Sequence, residues 1–334
     1  MLKALGVRAG ELVPQSHLHK SLGLSRSRVS EVLSTLEREG LIARVKVGNQ
    51  YLVKLLETQG TAASSVLKSL KIGVVWSSEY PFLTVFAKRV REKLNISLNV
   101  VVFASSLQAT KSLVLGDVAL ALSPAITQVH FYLAFRNFKI IGGGAYGGSA
   151  VMTRGDIVSD YMYSSELSTM DLIRSLVVGE GIIPATEVTT RYFRSPEEVI
   201  KAASTGLVKY AVVWHPLYRR LQSMGYKALV KGEELDIPYC CTLAVSNIIP
   251  SEIRHKLGNL YRESLETYSK TPERWIEWYA LQVGIPRDMV IDGIREYGIN
   301  PHLDKKELLR YFNKVPIKLP DMNALAGEIL EAPG

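Results

Sequence analysis

The chain predicts an α/β protein in two parts: a small helical head closed by a hairpin, then a two-lobed domain with a helical tail. Three observations predict it. The run Ser25–Gly40, SRSRVSEVLSTLEREG, has helical periodicity and leads directly into two alternating strands around Gly48-Asn49. From Lys71 to Val230, short β-branched runs alternate with amphipathic helices, the pattern of right-handed crossovers and a mostly parallel sheet. A late strand at Tyr239–Ser246 then precedes a series of helical stripes.

The head comes first in the chain. Met1–Leu12 can supply a first helix through Leu2 and Leu5, and Gln15–Leu22 a second with Leu18 and Leu22 on one face. Gly23-Leu24-Ser25 is a tight turn between helices. Ser25 is a good N-cap, because its hydroxyl can accept from the unpaired N–H groups of the first turn. Val29, Val32, Leu33 and Leu36 form the apolar stripe of the next helix, and Gly40 is placed to end it in a left-handed residue. Its other face carries Arg26, Ser27, Arg28, Ser30, Glu31, Ser34 and Thr35. Leu41–Val47 and Tyr51–Leu55 alternate around a Gly-Asn turn, as hairpin strands do.

This segment resembles the MarR-like winged helix-turn-helix domains, on the phrase SRSRVSEVLSTLEREGLIAR. The resemblance implies double-stranded DNA as partner. Ser27, Arg28, Ser30 and Glu31 would face base edges, with Arg26, Arg44 and Lys46 on phosphates. Charge agrees: the whole chain carries +8, and its first 60 residues hold nine Lys and Arg against five Asp and Glu. Winged helices also serve as protein-docking modules, and the basic, short-polar face is what favours DNA.

After a connection at 57–70, the expected elements are a strand at Lys71–Trp76, a helix at Pro81–Leu94, a strand at Leu98–Phe103 and a helix at Leu107–Leu115. Next come a strand at Val118–Leu122, a helix at Ala125–Phe135, a strand at Lys139–Gly144 and a returning strand at Ala150–Thr153. A second set starts near Ser164: helices Ser168–Val178, Pro196–Ser204 and Pro216–Met224 with strands Val188–Phe193, Lys209–Trp214 and Tyr226–Val230. The tail has helical stripes at Glu252–Lys270, Pro272–Val283, Arg287–Tyr297 and Lys305–Asn313, and Pro316–Gly334 is less regular. The expected division is therefore 1–56 for the head, 57–70 for the linker, 71–155 and 156–238 for the two lobes, and 239–334 for the return and tail.

KIGVVW, VVFASSLQATKSLVLGDVALA and KIIGGGAYGGSAVMTR make residues 71–155 resemble the type 2 periplasmic-binding-protein fold, in its nitrate, sulfonate and thiamine-precursor branch. The resemblance implies a small-molecule site at the carboxyl ends of the strands, between the lobes. The positions it marks in the first lobe are Trp76, Ser77, Ser78, Glu79 and Tyr80, then Ser105, Ser106 and Gln108, then Ser123 and Pro124, and Tyr146, Gly147 and Ser149. From the second lobe come Thr169, Trp214 and His215. Hydroxyls and helix starts suit an anionic or zwitterionic occupant, and Trp76, Tyr80, Tyr146 and Trp214 can sandwich a planar body.

Other constellations fall short of a site. Gly142–Gly144 is followed by neither GxGxxG nor a P-loop. The only cysteines, Cys240 and Cys241, are neighbours, for which a disulfide is strained. They are expected as buried thiols in a reducing compartment, and no metal or cofactor is expected. No run nears the ~20 apolar residues of a membrane span, and MLKALGVRAGEL lacks the features of a signal peptide, so a cytoplasmic location without a membrane partner is expected.

Together these readings make the chain a one-component transcriptional regulator, expected to be dimeric and not an enzyme, with a plan resembling the LysR-type regulators. The alternative is an enzyme of the related thiamine-pyrimidine-synthase type, which the resemblance would pair with lysine-bound pyridoxal phosphate, although the cysteine-rich motif of that group is absent here.

Overall fold

A computed structural model describes residues 12–38, 42–47, 50–55, 68–315 and 321–331. The chain divides into two compact units, Met1–Lys68 and Ser69–Gly334.

In the first unit, strand β1 (Leu12–Pro14) leads into α1 (Gln15–Leu22) and α2 (Arg26–Arg38), and β2 (Ile42–Val47) and β3 (Gln50–Leu55) follow. The strands form an antiparallel sheet in the order β1-β3-β2. Gly23 closes α1 at φ +63°, a left-handed conformation that costs glycine little. Ser25 Oγ accepts from the Arg28 N–H at 3.2 Å, so it caps α2. Val29 and Leu33 of α2 bury against Leu18, Ile42 and Val53. The expected helix at Met1–Leu12 and the helix stop at Gly40 lie outside the described residues, apart from Leu12, which opens β1.

The second unit holds two five-stranded sheets. Its first half runs β4 (Ser69–Val75), α3 (Leu83–Leu94), β5 (Ser97–Phe103), α4 (Ser106–Leu115), β6 (Leu120–Pro124), α5 (Ala125–Phe135) and β7 (Phe138–Gly142). β8 (Gly144–Gly147) then carries the chain over to β9 (Ser149–Thr153), β10 (Tyr161–Ser164), α6 (Thr169–Gly179), β11 (Thr189–Tyr192), α7 (Pro196–Ser204), β12 (Tyr210–Trp214), α8 (Leu217–Ser223) and β13 (Lys227–Lys231). The chain comes back through β14 (Cys241–Ser246), and the tail is α9 (Ser251–Lys270), α10 (Ile276–Val283), α11 (Arg287–Ile294), β15 (Tyr297–Asn300), α12 (Lys305–Lys314) and α13 (Met322–Ile329).

The sheet orders are β5-β4-β6-β14-β7 and β11-β10-β12-β9-β13. In each, four strands run one way and a strand arriving from the other lobe runs against them: β14 between β6 and β7, β9 between β12 and β13. This is a mixed α/β, two-lobed fold whose lobes are joined by two crossing segments. Strands of near-continuous apolar residues, such as β6 and β14, are buried along their whole length, as sheets covered on both faces require. The tail packs back on the first lobe: Tyr261 of α9 meets Phe82 and Phe86 edge to face at 5.8 and 5.3 Å, and Leu330 bridges to Ile140 of β7.

Several expectations need correction. Ala150–Thr153 belongs to the second sheet, so the second lobe starts before residue 156, and Ser69 and Leu70 are already in β4 rather than in the linker. β10 occupies Tyr161–Ser164, a four-residue strand too short to show a period. The expected strand Lys139–Gly144 splits into β7 and β8 because Gly144 leaves the first sheet to pair with Asn300. The same pairing stops the expected helix Arg287–Tyr297 at Ile294, since Tyr297 pairs with Gly147. α13 is a regular helix inside Pro316–Gly334, capped by Asp321.

Candidate functional site

A small cavity lies where the carboxyl ends of strands from both sheets converge. β4 contributes Val75 and the loop after it Ser77, Glu79 and Tyr80; the starts of α4 and α6 contribute Ser106, Thr169 and Met170. Pro124, Ser165, Ser168, Trp214, Cys240 and Cys241 complete the wall. Its volume is about 30 Å³, room for about one water. Among the described residues, the wall carries no Lys, Arg or His. An anionic occupant, expected from sequence, therefore finds hydroxyls and helix starts but no cationic side chain.

The chemistry of this wall concentrates at four residues, Glu79, Tyr80, Cys240 and Cys241. Glu79 Oε2 lies 3.6 Å from Cys241 Sγ, and the two thiols are 3.9 Å apart. The Tyr80 hydroxyl is 3.1 Å from the same Cys241 sulfur. Glu79 is 3% exposed, and its second oxygen, Oε1, has no hydrogen-bond partner; neither has Ser106 Oγ, also on the wall. Burial pushes the Glu79 carboxyl up to about 8, although Cys241 and Tyr80 pull it the other way. Burial also raises the Cys241 thiol well above its ordinary range. Cys240 is fixed from two sides: its N–H donates to the Ala145 carbonyl at 2.8 Å, and its carbonyl accepts from Thr169 Oγ1 at 2.9 Å. Cys240 thus ties the returning segment to β8 and to the start of α6.

Of the ligand positions expected from sequence, Ser77, Glu79, Tyr80, Ser106, Pro124, Thr169 and Trp214 line the cavity. The others are elsewhere. Ser105 caps α4, accepting from the Gln108 N–H, and Gln108 itself is exposed. Ser123 is buried in a network with Thr110 and Gln128. Tyr146 is 40% exposed on β8, with Gly147 beside it paired to Tyr297, and Ser149 is buried against Gly232. Trp76 is half-buried, its carbonyl accepting from Trp214 Nε1 at 2.8 Å, so the four aromatics do not assemble into a sandwich. The sequence marks Glu79 only as a strand-end position and Cys240 and Cys241 as buried thiols; both cysteines are buried, and the structure brings all three residues together. The available signal was two thiols opening a strand that enters the first sheet.

Ser78 and His215 belong to a different arrangement. Ser78 Oγ is hydrogen-bonded to His215 Nδ1, and His215 Nε2 to Asp292 Oδ2 at 3.0 Å. Arg219 holds the same carboxylate with Nε at 2.7 Å and Nη2 at 3.1 Å, and reaches Glu296 at 2.9 Å. A serine, a histidine and an aspartate in line suggest acyl transfer, yet neither Ser78 nor His215 borders the cavity. Gly293 packs on the serine so closely that a Cβ there would stand 2.5 Å from Ser78 Oγ. Burial lowers the His215 pKa despite Asp292, which acts the other way. The network ties the loop after β4 and the end of β12 to α11 of the tail.

In the first unit, Arg26, Ser27 and Glu31 are exposed on α2, while Arg28 and Ser30 are half-buried. Arg28 Nη1 pairs with Glu31 Oε2 at 2.9 Å. Arg44, expected on phosphate, is instead held within the unit: its Nε donates to Glu37 Oε2 at 2.7 Å and its Nη2 to Ser34 Oγ at 3.2 Å. Lys46 lies in β2, its side chain outside the described residues.

Comparison with known proteins bears on each unit separately. Residues 2–56 match a family described as a domain of unknown function (DUF7343). No curated protein matches the chain. Solved structures do. The alkanesulfonate-binding protein SsuA from Xanthomonas axonopodis pv. citri, bound to MOPS, is similar at a TM-score of 0.62 with 15% identity, covering 79% of this chain and 98% of that one. The periplasmic aliphatic sulphonate binding protein SsuA from Escherichia coli gives 0.62 with 13% identity over 80% and 93%. The periplasmic nitrate-binding protein NrtA from Synechocystis PCC 6803 gives 0.60 with 12% identity over 79% and 86%. The larger unit has a periplasmic-binding-protein-like fold. Among the described residues no helix is long and apolar enough to cross a membrane.

Proposed function

We propose that this chain is a ligand-responsive, one-component transcriptional regulator, acting in the cytoplasm as a homodimer. Its first unit is read as a winged helix that binds double-stranded DNA, and its second as the receptor for a small effector held between the lobes. The reading is carried by one observation: in a single chain, a binding-protein-like fold with an inter-lobe cavity follows a strand–helix–helix–hairpin unit whose second helix exposes Arg26, Ser27 and Glu31. A helix with a buried stripe and a short-polar outer face suits a major groove. The cavity is read as a place of binding rather than turnover, because Ser78 and His215 do not border it and Gly293 packs against the serine.

Selection of bound duplexes from a random pool tests the DNA half. The full chain is expected to enrich one sequence, and Arg28→Ala to weaken that complex while relaxing base preference. Equal losses on selected and random duplex would remove the base-reading role, and retention of no duplex at all would remove the proposal.

A further inference from the structure

We infer that Glu79, Cys240 and Cys241 form a binding site for a thiophilic divalent cation, zinc being the best match, with an open position facing the inter-lobe cavity. The metrics fit before any ion is placed. At a zinc–sulfur distance of ~2.3 Å, thiols 3.9 Å apart subtend about 115° at the metal, close to a tetrahedral angle. With zinc–oxygen at ~2.1 Å, a tetrahedral sulfur–oxygen separation is about 3.6 Å, the value found between Cys241 Sγ and Glu79 Oε2. Donor atoms of all three residues lie within 4.8 Å of one another. A linear two-thiolate ion such as Cu(I) would need the sulfurs farther apart, at about twice the metal–sulfur distance.

Independent observations point the same way. Glu79 Oε1 is buried beside the cavity with no partner, a costly arrangement unless something else completes it. The wall bears acid, thiols and hydroxyls but no basic side chain, which favours a cation over an anion. Two thiolates and one carboxylate leave a tetrahedral ion one ligand short, and the cavity has about 30 Å³ for a water there. On binding, the two thiols and the Glu79 carboxyl release their protons to solvent as two metal–sulfur bonds and one metal–oxygen bond form, with no change of oxidation state.

This deepens the receptor reading, since it names the effector class of the same cavity, but it does not depend on DNA binding. The test uses the reduced, chelator-treated full chain. Titration with Co(II) is expected to give thiolate charge-transfer absorption and the visible bands of tetrahedral cobalt, and Zn(II) to displace it at one equivalent. Cys241→Ser should abolish the charge-transfer band. Glu79→Gln, which keeps the side-chain shape, should keep it with affinity reduced about tenfold or more. Circular dichroism checks that both variants are folded. Absence of bound metal, or zinc affinity unchanged in both variants, overturns the inference. Zinc binding with these properties that leaves affinity for selected DNA untouched upholds the site and removes the regulator reading instead.

Discussion

Ser78 and Glu79 are adjacent in one loop yet belong to opposite kinds of buried polar cluster. The serine joins a complete chain of partners, through His215 and Asp292 to Arg219, and Gly293 fills the space above it. The glutamate meets two thiols at longer range, leaves one oxygen orphaned and borders an open volume. Recognisable catalytic geometry without room is a strut. Unfamiliar geometry with room and an unsatisfied atom is a candidate site.

That contrast can be sharpened by measurement. The largest effect is expected from Glu79 itself. Its folded carboxyl titrates at about 8 against the ordinary 4.5, so between those values the folded state keeps a proton that the unfolded chain has released. Cys241, Cys240 and Tyr80, which face it, all have raised pKa values and stay protonated across that window. Stability of the metal-free protein should therefore be greatest at low pH within that range and fall as pH rises towards 8, at up to about 1.4 kcal/mol per pH unit. Denaturant unfolding at a series of pH values should show the slope in the parent and lose it in Glu79→Gln; an unchanged slope would assign it to another group. Next, Asp292→Ala leaves Arg219 and His215 without their shared carboxylate. It should cost about 2 kcal/mol, less than the ~3–5 kcal/mol of a fully buried pair because Asp292 is 33% exposed. The smallest effect is expected from Ser78→Ala, about 1 kcal/mol in the same unfolding experiment, with zinc affinity unaltered. If Ser78→Ala shifted zinc affinity as strongly as Glu79→Gln, the two clusters would be one.

The alternation of strands and helices in the larger unit was legible because each element has its own period and its own boundary residues. Ala125–Phe135 and Pro196–Ser204 match the expected helices to the residue; in the structure Ser195 caps the second and Pro196 stands in its first turn. What escaped notice depends on distant pairing. β15 follows a helical stripe and becomes a strand only because β8 lies opposite. Ser78 and His215 stand at strand ends, where a ligand contact is expected, yet they face Asp292 from the tail. Arg44 looked free for phosphate because Glu37 meets it through tertiary structure, and that pairing holds the Glu37 carboxyl below its ordinary range. The cysteines were hardest of all. Adjacency argues against a disulfide, while the carboxylate that lies beside them is 162 positions from Cys241.

The chain passes between the lobes twice, outward through β8 and home into β14, and the amide of Cys240 clasps the carbonyl of Ala145 where the two passages run side by side. Any swing of one lobe against the other must bend both passages at once. An ion gripped by these sulfurs would therefore sit at the pivot, where a few tenths of an ångström translate into the widest sweep at the rim.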